Sequence, residues 1–219
     1  MLLIFDCDGV LVDSEVVVAP VVAGLFTAHG AALSGDEVLD CYTGLANPEM
    51  IRQVEREFGV TLPEDFLAEL ESAELEALER DLRPVPGMAA LLDRLGEVPV
   101  CVASSSAPER IRRSLEVTEL AGYFGDHVFS ASEVARPKPA PDLFLHAAAA
   151  MGFAPGECLV VEDSVFGVGA GVAAGMRVIG FTGATHGDAA ADVMLLGAGA
   201  ESVAADALEL ATLLGREHR

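Results

Sequence analysis

The first feature of the chain is a set of short apolar runs, each of which ends abruptly at polar residues. Such runs are typical of strands that are buried on both faces of a sheet. The pattern predicts strands over residues 2–5, 98–103, 158–161 and 177–181, which end at Asp6-Cys7-Asp8-Gly9, Ser104-Ser105-Ser106, Glu162-Asp163 and Thr182-Gly183.

Helix-like stretches alternate with these strands, over residues 108–116, 141–151 and 164–174. Alternating strands and helices predict an α/β fold with a Rossmann-like parallel sheet that is covered on both faces. Ligands of such sheets bind beyond the carboxyl ends of the strands. We therefore expect Asp6, Ser104 and the pair Glu162-Asp163 to converge.

Residues 14–83 show helical periodicity alone, including an acidic amphipathic stretch over residues 63–81. This block interrupts the alternation of strands and helices. It predicts a helical domain at 14–83 inserted into a core domain formed by 1–13 and 84–219. The two junctions are candidate hinges.

Composition restricts the possible ligands. An apolar fraction of 52% with 22% charged residues is that of a globular chain. The net charge of −22 disfavours nucleic acid and anionic membrane as partners. A phosphorylated ligand would therefore need a metal, a few well-placed cations or backbone N–H donors.

The cysteines and the apolar runs bear on where the protein works. Four cysteines are scattered singly, so we expect reduced, buried thiols. No basic leader opens the sequence, and no apolar run reaches the roughly 18 residues of a membrane span. We expect a cytoplasmic monomer.

The polar residues that follow the predicted strands, and Lys138, also have ordinary structural interpretations. Asp6 and Asp8 could share a cation, or could form an Asx turn or a helix cap. The run Glu162-Asp163-Ser164 could bind metal or simply begin a helix. Ser104 could bind phosphate or cap the helix near Pro108, a role that Ser105 or Ser106 could take instead. Lys138 could supply the required cation or be exposed to solvent.

A resemblance decides among these interpretations. Asp6-Cys7-Asp8-Gly9-Val10-Leu11-Val12-Asp13-Ser14 resembles the first motif of the haloacid dehalogenase-like hydrolases. Val102-Ala103-Ser104 resembles the second motif, and Lys138 between two prolines resembles the third. The fourth motif is resembled by Val160-Val161-Glu162-Asp163-Ser164 with Gly167 and Ala173-Ala174-Gly175-Met176. The resemblance spans residues 1–181 with the motifs in order.

The resemblance implies a set of roles. Asp6 would be the nucleophile, and Asp8 the general acid and base. Ser104 and Lys138 would bind the phosphoryl group. Mg²⁺ would be held by Asp6, the Asp8 carbonyl and Asp163, with Glu162 reached through water.

The helical insertion resembles the cap of the subgroup with β-phosphoglucomutase, phosphoglycolate phosphatase and sugar-phosphate phosphatases. The resemblance gives substrate contacts to Gly44, Asn47 and Ser105. The mutases carry a His, a Lys and an Arg where this chain has Val18, Thr43 and Asn47.

That departure favours a phosphatase acting on a small phosphorylated metabolite, such as a sugar phosphate or phosphogluconate, over a mutase. Dehalogenase chemistry is disfavoured because that branch lacks the second Asp, here Asp8. A protein that only senses a phosphorylated ligand stays a further alternative.

Overall fold

The computed structural model describes residues 1–42, 45, 47–184 and 189–217. Within it the chain forms two compact units. One consists of Met1–Asp13 together with Arg83–Arg219, and the other of Ser14–Leu82.

The larger unit is built on a parallel sheet, which has six strands among the described residues, in the order β3-β2-β1-β4-β5-β6. The first strand in the chain therefore lies in the middle of the sheet, where Leu3 is in register with Val100 on one side and Leu159 on the other. The strands are β1 (Leu2–Phe5), β2 (Val100–Ser104), β3 (Val128–Ser130), β4 (Cys158–Glu162), β5 (Arg177–Phe181) and β6 (Ser202–Ala204). The predicted fold class is confirmed.

The helices divide between the two units. The smaller unit contains α1 (Ser14–Ala28), α2 (Gly35–Tyr42), α3 (Asn47–Phe58) and α4 (Phe66–Asp81). The larger unit contains α5 (Met88–Leu95), α6 (Pro108–Val117), α7 (Ala121–Phe124), α8 (Asp142–Met151), α9 (Val165–Ala173), α10 (Ala189–Ala198) and α11 (Ala207–Glu217).

Burial explains which strands the apolar pattern predicts. All residues of β1 and β4 are buried, so continuous apolar runs mark these central strands. The edge strands β3 and β6 were missed in the sequence because each is three residues long, too short for a hydrophobic period.

The helical unit has its own apolar core. The rings of Phe26 and Phe66 lie 5.0 Å apart, and Leu70 is buried beside them. Phe66 and Leu70 are four residues apart on α4, so they share one helix face while most of its acidic residues point to solvent.

The cysteines partly follow expectation. Cys7, Cys101 and Cys158 are free and buried, but Cys41 is exposed, so its predicted burial is wrong. Cys41 lies near the end of the short helix α2, whose buried residues are Val38 and Tyr42.

Within the described ranges, no helix is long and apolar enough to cross a membrane.

Candidate active site

Asp6 lies at the carboxyl end of the central strand β1. Its backbone N–H donates to the Val161 carbonyl at 3.0 Å, which ties it to β4. The chain then turns tightly, with the Gly9 N–H donating to the Val12 carbonyl at 2.8 Å. Gly9 has φ +79°, a left-handed conformation that glycine adopts at little cost.

Lys138 is buried at the same edge, with only 5% of its side chain exposed. Its ammonium donates to Asp6 Oδ1 at 2.6 Å, to Glu162 Oε1 at 2.7 Å and to the Ala103 carbonyl at 3.1 Å. This lysine is therefore not the solvent-exposed residue of the ordinary interpretation. It joins the ends of β1, β2 and β4.

Charge in this cluster is unbalanced toward the negative. Burial raises the pKa of Asp6 to about 7, Lys138 opposes that rise, and Glu162 adds to it. Burial also works against the charged form of Lys138, but Asp6 and Glu162 together raise its pKa above the ordinary value. One ammonium thus faces two carboxylates, an arrangement that favours a second cation.

Asp163 lies against the turn that follows Asp6. A Cβ built on Gly9 would stand 1.9 Å from Asp163 Oδ2, so only glycine leaves space for this carboxylate. Carboxylates and backbone carbonyls are the oxygen donors that Mg²⁺ prefers, and it uses few of them. The donors Asp6, Asp163 and the Asp8 carbonyl fit that preference. In the part of the chain that the structure describes, no group of three His, Cys, Asp or Glu side chains forms a metal cluster.

The loop that follows β2 and the start of α6 contact the Asp8 side chain. The Ser106 hydroxyl donates to Asp8 Oδ2 at 2.8 Å, and Arg110 Nη2 lies 3.8 Å from Asp8 Oδ1. Ser104 is buried, and its hydroxyl accepts the Ser106 N–H at 3.2 Å. Ser105 is exposed.

Helix α6 is not capped by a serine, which corrects one interpretation of this segment. Its N-cap residue is Ala107, which makes no side-chain capping bond, and Pro108 occupies the first turn. Proline has no N–H that needs a cap, so the hydroxyls of Ser104 and Ser106 are used elsewhere.

Glu162 is held on both of its carboxylate oxygens. Lys138 engages Oε1, and Oε2 accepts from the N–H and the hydroxyl of Ser164 at 2.9 and 3.0 Å. The Ser164 hydroxyl also accepts the Gly167 N–H at 3.0 Å and so caps α9. Contact of Glu162 with a metal through water stays a prediction.

Gly167 is required by this arrangement, because a Cβ built there would lie 1.6 Å from Glu162 Oε1. Glu162 cannot retreat without breaking its bonds to Lys138 and Ser164. We expect Gly167→Ala to lower the free energy of unfolding by about 1–3 kcal/mol, as overpacking does. The measurement is urea denaturation of both proteins.

Gly169 is the matched control on the same helix. A Cβ there would meet its nearest neighbour, Pro139 Cβ, at 3.9 Å. Gly169→Ala should be neutral or should stabilise by up to about 1 kcal/mol, since alanine favours helix. Equal losses in the two variants would contradict the packing argument.

The positions of the helical unit that the family resemblance singles out, as substrate contacts or as departures from the mutases, have different outcomes. Gly44 and Thr43 lie outside the described residues. Asn47 begins α3, and its amide donates to Glu74 Oε2 at 3.0 Å on α4, where Glu74 is buried. Val18 packs against the core of the helical unit. The structure therefore gives Asn47 and Val18 roles within this unit, and contact of Asn47 with substrate stays a prediction.

The sequence pattern did not indicate two residues that contact Asp8, Ser106 and Arg110, or Ser130, which contacts Ser106. Ser106 was considered only as a cap, Ser130 ends the unpredicted strand β3, and Arg110 lies in the first turns of α6. The polar ends of β2 and β3 could have indicated the serines, had the edge strand been recognised.

Known proteins share the sequence pattern and the architecture of this chain. The sequence profile of the haloacid dehalogenase-like hydrolases matches residues 1–175. The 6-phosphogluconate phosphatase of Escherichia coli (strain K12) is 36% identical over 183 residues, which cover 83% of this chain and 82% of that protein.

Similar proteins with solved structures include the following two. A conserved haloacid dehalogenase-like protein of unknown function from Agrobacterium tumefaciens is 40% identical, with a TM-score of 0.88, and the match covers 100% of this chain and 99% of that one. A haloacid dehalogenase family hydrolase from Deinococcus radiodurans R1, solved with bound phosphate and sodium, is 32% identical with a TM-score of 0.86 and covers 99% and 95% of the two chains. The chain described here belongs to the haloacid dehalogenase-like hydrolases.

Proposed function

We propose that this protein is a Mg²⁺-dependent phosphatase that hydrolyses a small sugar phosphate or sugar-acid phosphate through an aspartyl-phosphate on Asp6. The observation that carries the proposal is the contact of Lys138 with Asp6 at 2.6 Å, in a buried site that also holds Asp8 and Asp163. A carboxylate there can attack phosphorus and divide hydrolysis into two easier displacements.

Each core residue has a part in this chemistry. Lys138 holds Asp6 in place and supplies the positive charge that a phosphoryl group requires in a chain of net charge −22. The Ser104 hydroxyl is at the end of the neighbouring strand, where it can donate to a phosphoryl oxygen.

Asp8 carries the proton in both steps. It gives a proton to the sugar oxygen as the bond from that oxygen to phosphorus breaks and Asp6 becomes phosphorylated. It then takes a proton from the water that attacks the aspartyl-phosphate, which releases inorganic phosphate and restores Asp6.

Mg²⁺ would be held by Asp6, the Asp8 carbonyl and Asp163, with Glu162 in contact through water. When bound, the metal neutralises charge on the phosphoryl oxygens. The raised pKa of Asp6 supports this assignment, since a nearby cation would favour its ionised form.

The substrate class is proposed from the named relatives. Besides the 6-phosphogluconate phosphatase, hexitol phosphatase A of Escherichia coli (strain K12) is 36% identical over 80% of each chain. Both names describe phosphate monoesters of sugar derivatives. We propose that the helical unit acts as a cap over this substrate, with Gly44, Asn47 and Ser105 contributing to its recognition, in a cytoplasmic monomer.

The test is phosphate release from a panel of phosphorylated sugars, sugar acids and polyols. We expect release with Mg²⁺, loss of release with EDTA, and no need for a sugar bisphosphate activator. Asp163→Asn should raise the Mg²⁺ concentration that gives half-maximal activity by about tenfold or more, as loss of support for a metal does.

Two other outcomes would point to other functions. Isomerised sugar phosphate with little free phosphate, formed only after a bisphosphate is added, would identify a mutase. Binding of phosphorylated sugars without turnover in Mg²⁺ would identify a sensor.

A further inference from the structure

The Asp8 carboxylate is held at one oxygen by Ser106, from a loop almost a hundred residues further along the chain. The Ser106 hydroxyl donates to Asp8 Oδ2 at 2.8 Å. On the other oxygen, Arg110 Nη2 stands 3.8 Å from Oδ1, beyond hydrogen-bond distance. Ser106 therefore supplies a directional contact to Oδ2, and Arg110 supplies a longer ion pair at Oδ1.

Ser106 is itself fixed by its neighbours. Its N–H donates to the Ser104 hydroxyl at 3.2 Å, and its carbonyl accepts from the Ser130 hydroxyl at 2.7 Å. Ser130 is 1% exposed, and its oxygen also accepts the Ser132 N–H at 3.2 Å. The ends of β2 and β3 thus fix the loop that holds Asp8.

We propose that Ser106 is a positioning residue that holds the Asp8 carboxylate in line for proton transfer to the leaving oxygen, with Ser130 as its anchor. This inference rests on the acid/base role proposed above for Asp8. A carboxylate on a short side chain turns about two bonds, and proton transfer needs a near-linear approach. A hydroxyl can both donate and accept, so Ser106 can keep its contact whether or not Asp8 carries the proton.

If Ser106 positions Asp8, the loss of activity in Ser106→Ala should depend on the leaving group of the substrate. A strongly basic leaving oxygen needs the proton from Asp8, whereas p-nitrophenolate leaves readily without one. Ser106→Ala should lower kcat/KM for phenyl phosphate by about 10–100-fold, part of the range of general acid catalysis. For p-nitrophenyl phosphate we expect a loss below about threefold by the same argument.

Matched variants separate positioning from folding. Ser106→Thr keeps the hydroxyl and should restore kcat/KM for phenyl phosphate to within about threefold of wild type. Ser130→Ala should show the same leaving-group dependence with a smaller loss. Ser72→Ala, at an exposed position on α4, should leave kcat/KM unchanged for both substrates. Thermal denaturation of each variant tests for loss of fold.

A double variant tests the coupling. In an Asp8→Asn background, Ser106→Ala should cause no further loss with phenyl phosphate, because the group that it positions is gone. Additive losses, or equal losses for the two leaving groups in folded Ser106→Ala, would overturn the inference alone. A failure of Ser106→Thr to restore activity would do the same. A wild-type protein that releases phosphate from no probe would overturn the proposed function, and this inference with it.

Discussion

Asp6→Asn is expected to abolish turnover while the fold is kept. The amide has nearly the same shape as the carboxylate, but it is a poor nucleophile and carries no charge for a metal. Loss of a covalent nucleophile lowers kcat by at least about 10⁴-fold. The measurements are steady-state phosphate release and phosphoenzyme trapped by rapid denaturation, which the variant should not form.

Stability should respond differently from activity. Burial raises the pKa of Asp6 from 3.8 to about 7, so the folded protein without metal binds a proton that the unfolded chain releases. That contribution is lost as pH rises through this window. In EDTA, we therefore expect the free energy of unfolding of wild type to fall relative to that of Asp6→Asn as pH rises from 4 to 7.

The control for Asp6→Asn is the same change at Asp126, which is exposed. Asp126→Asn should leave turnover and stability near wild type. Substantial activity in Asp6→Asn, or a phosphoenzyme that still forms, would mean that the nucleophile is another residue.

The predictability of this site from sequence has a physical basis. Asp6, Ser104 and Glu162 follow β1, β2 and β4, whose burial produces the apolar runs that mark them. Because the strands are parallel and adjacent, their carboxyl ends had to meet. Lys138 follows no predicted strand, and only the family motif indicated its role.

The features that the sequence could not predict depend on hydrogen bonds between residues that lie far apart in the chain. Ser130 ends a three-residue edge strand, and its bond to the Ser106 carbonyl depends on a loop path that periodicity does not report. Asn47 is similar, because its partner Glu74 is 27 residues away on another helix. A buried Glu within an acidic amphipathic stretch has no signal of its own in the pattern.

The second large effect is expected for Lys138→Met, which should reduce both stability and activity. The ammonium is buried with Asp6 and Glu162, whose side chains are 9% and 1% exposed. Removing one partner of a buried ionic group typically costs about 3–5 kcal/mol, because charge is left without compensation. Turnover should fall by at least about 10²-fold, as it does when a single donor to the reacting oxygens is lost.

The surface control for Lys138→Met is Arg136→Met, two residues earlier in the same loop. Arg136 pairs with Asp142 at 2.6 Å, but its side chain is 69% exposed. Exposed ion pairs contribute little to stability, so this variant should remain close to wild type in stability and turnover.

Glu162→Gln in the Lys138→Met background separates the two consequences of losing the ammonium. Replacing Glu162 removes one of the two carboxylates that Lys138 compensated, and glutamine can still accept from Ser164 through its amide oxygen. We expect the double variant to regain part of the lost free energy of unfolding in urea, while phosphate release stays at the level of Lys138→Met. Recovery of turnover together with stability would mean that Lys138 serves only to neutralise Glu162. No recovery of stability would mean that its contacts with Asp6 and the Ala103 carbonyl carry the structural effect.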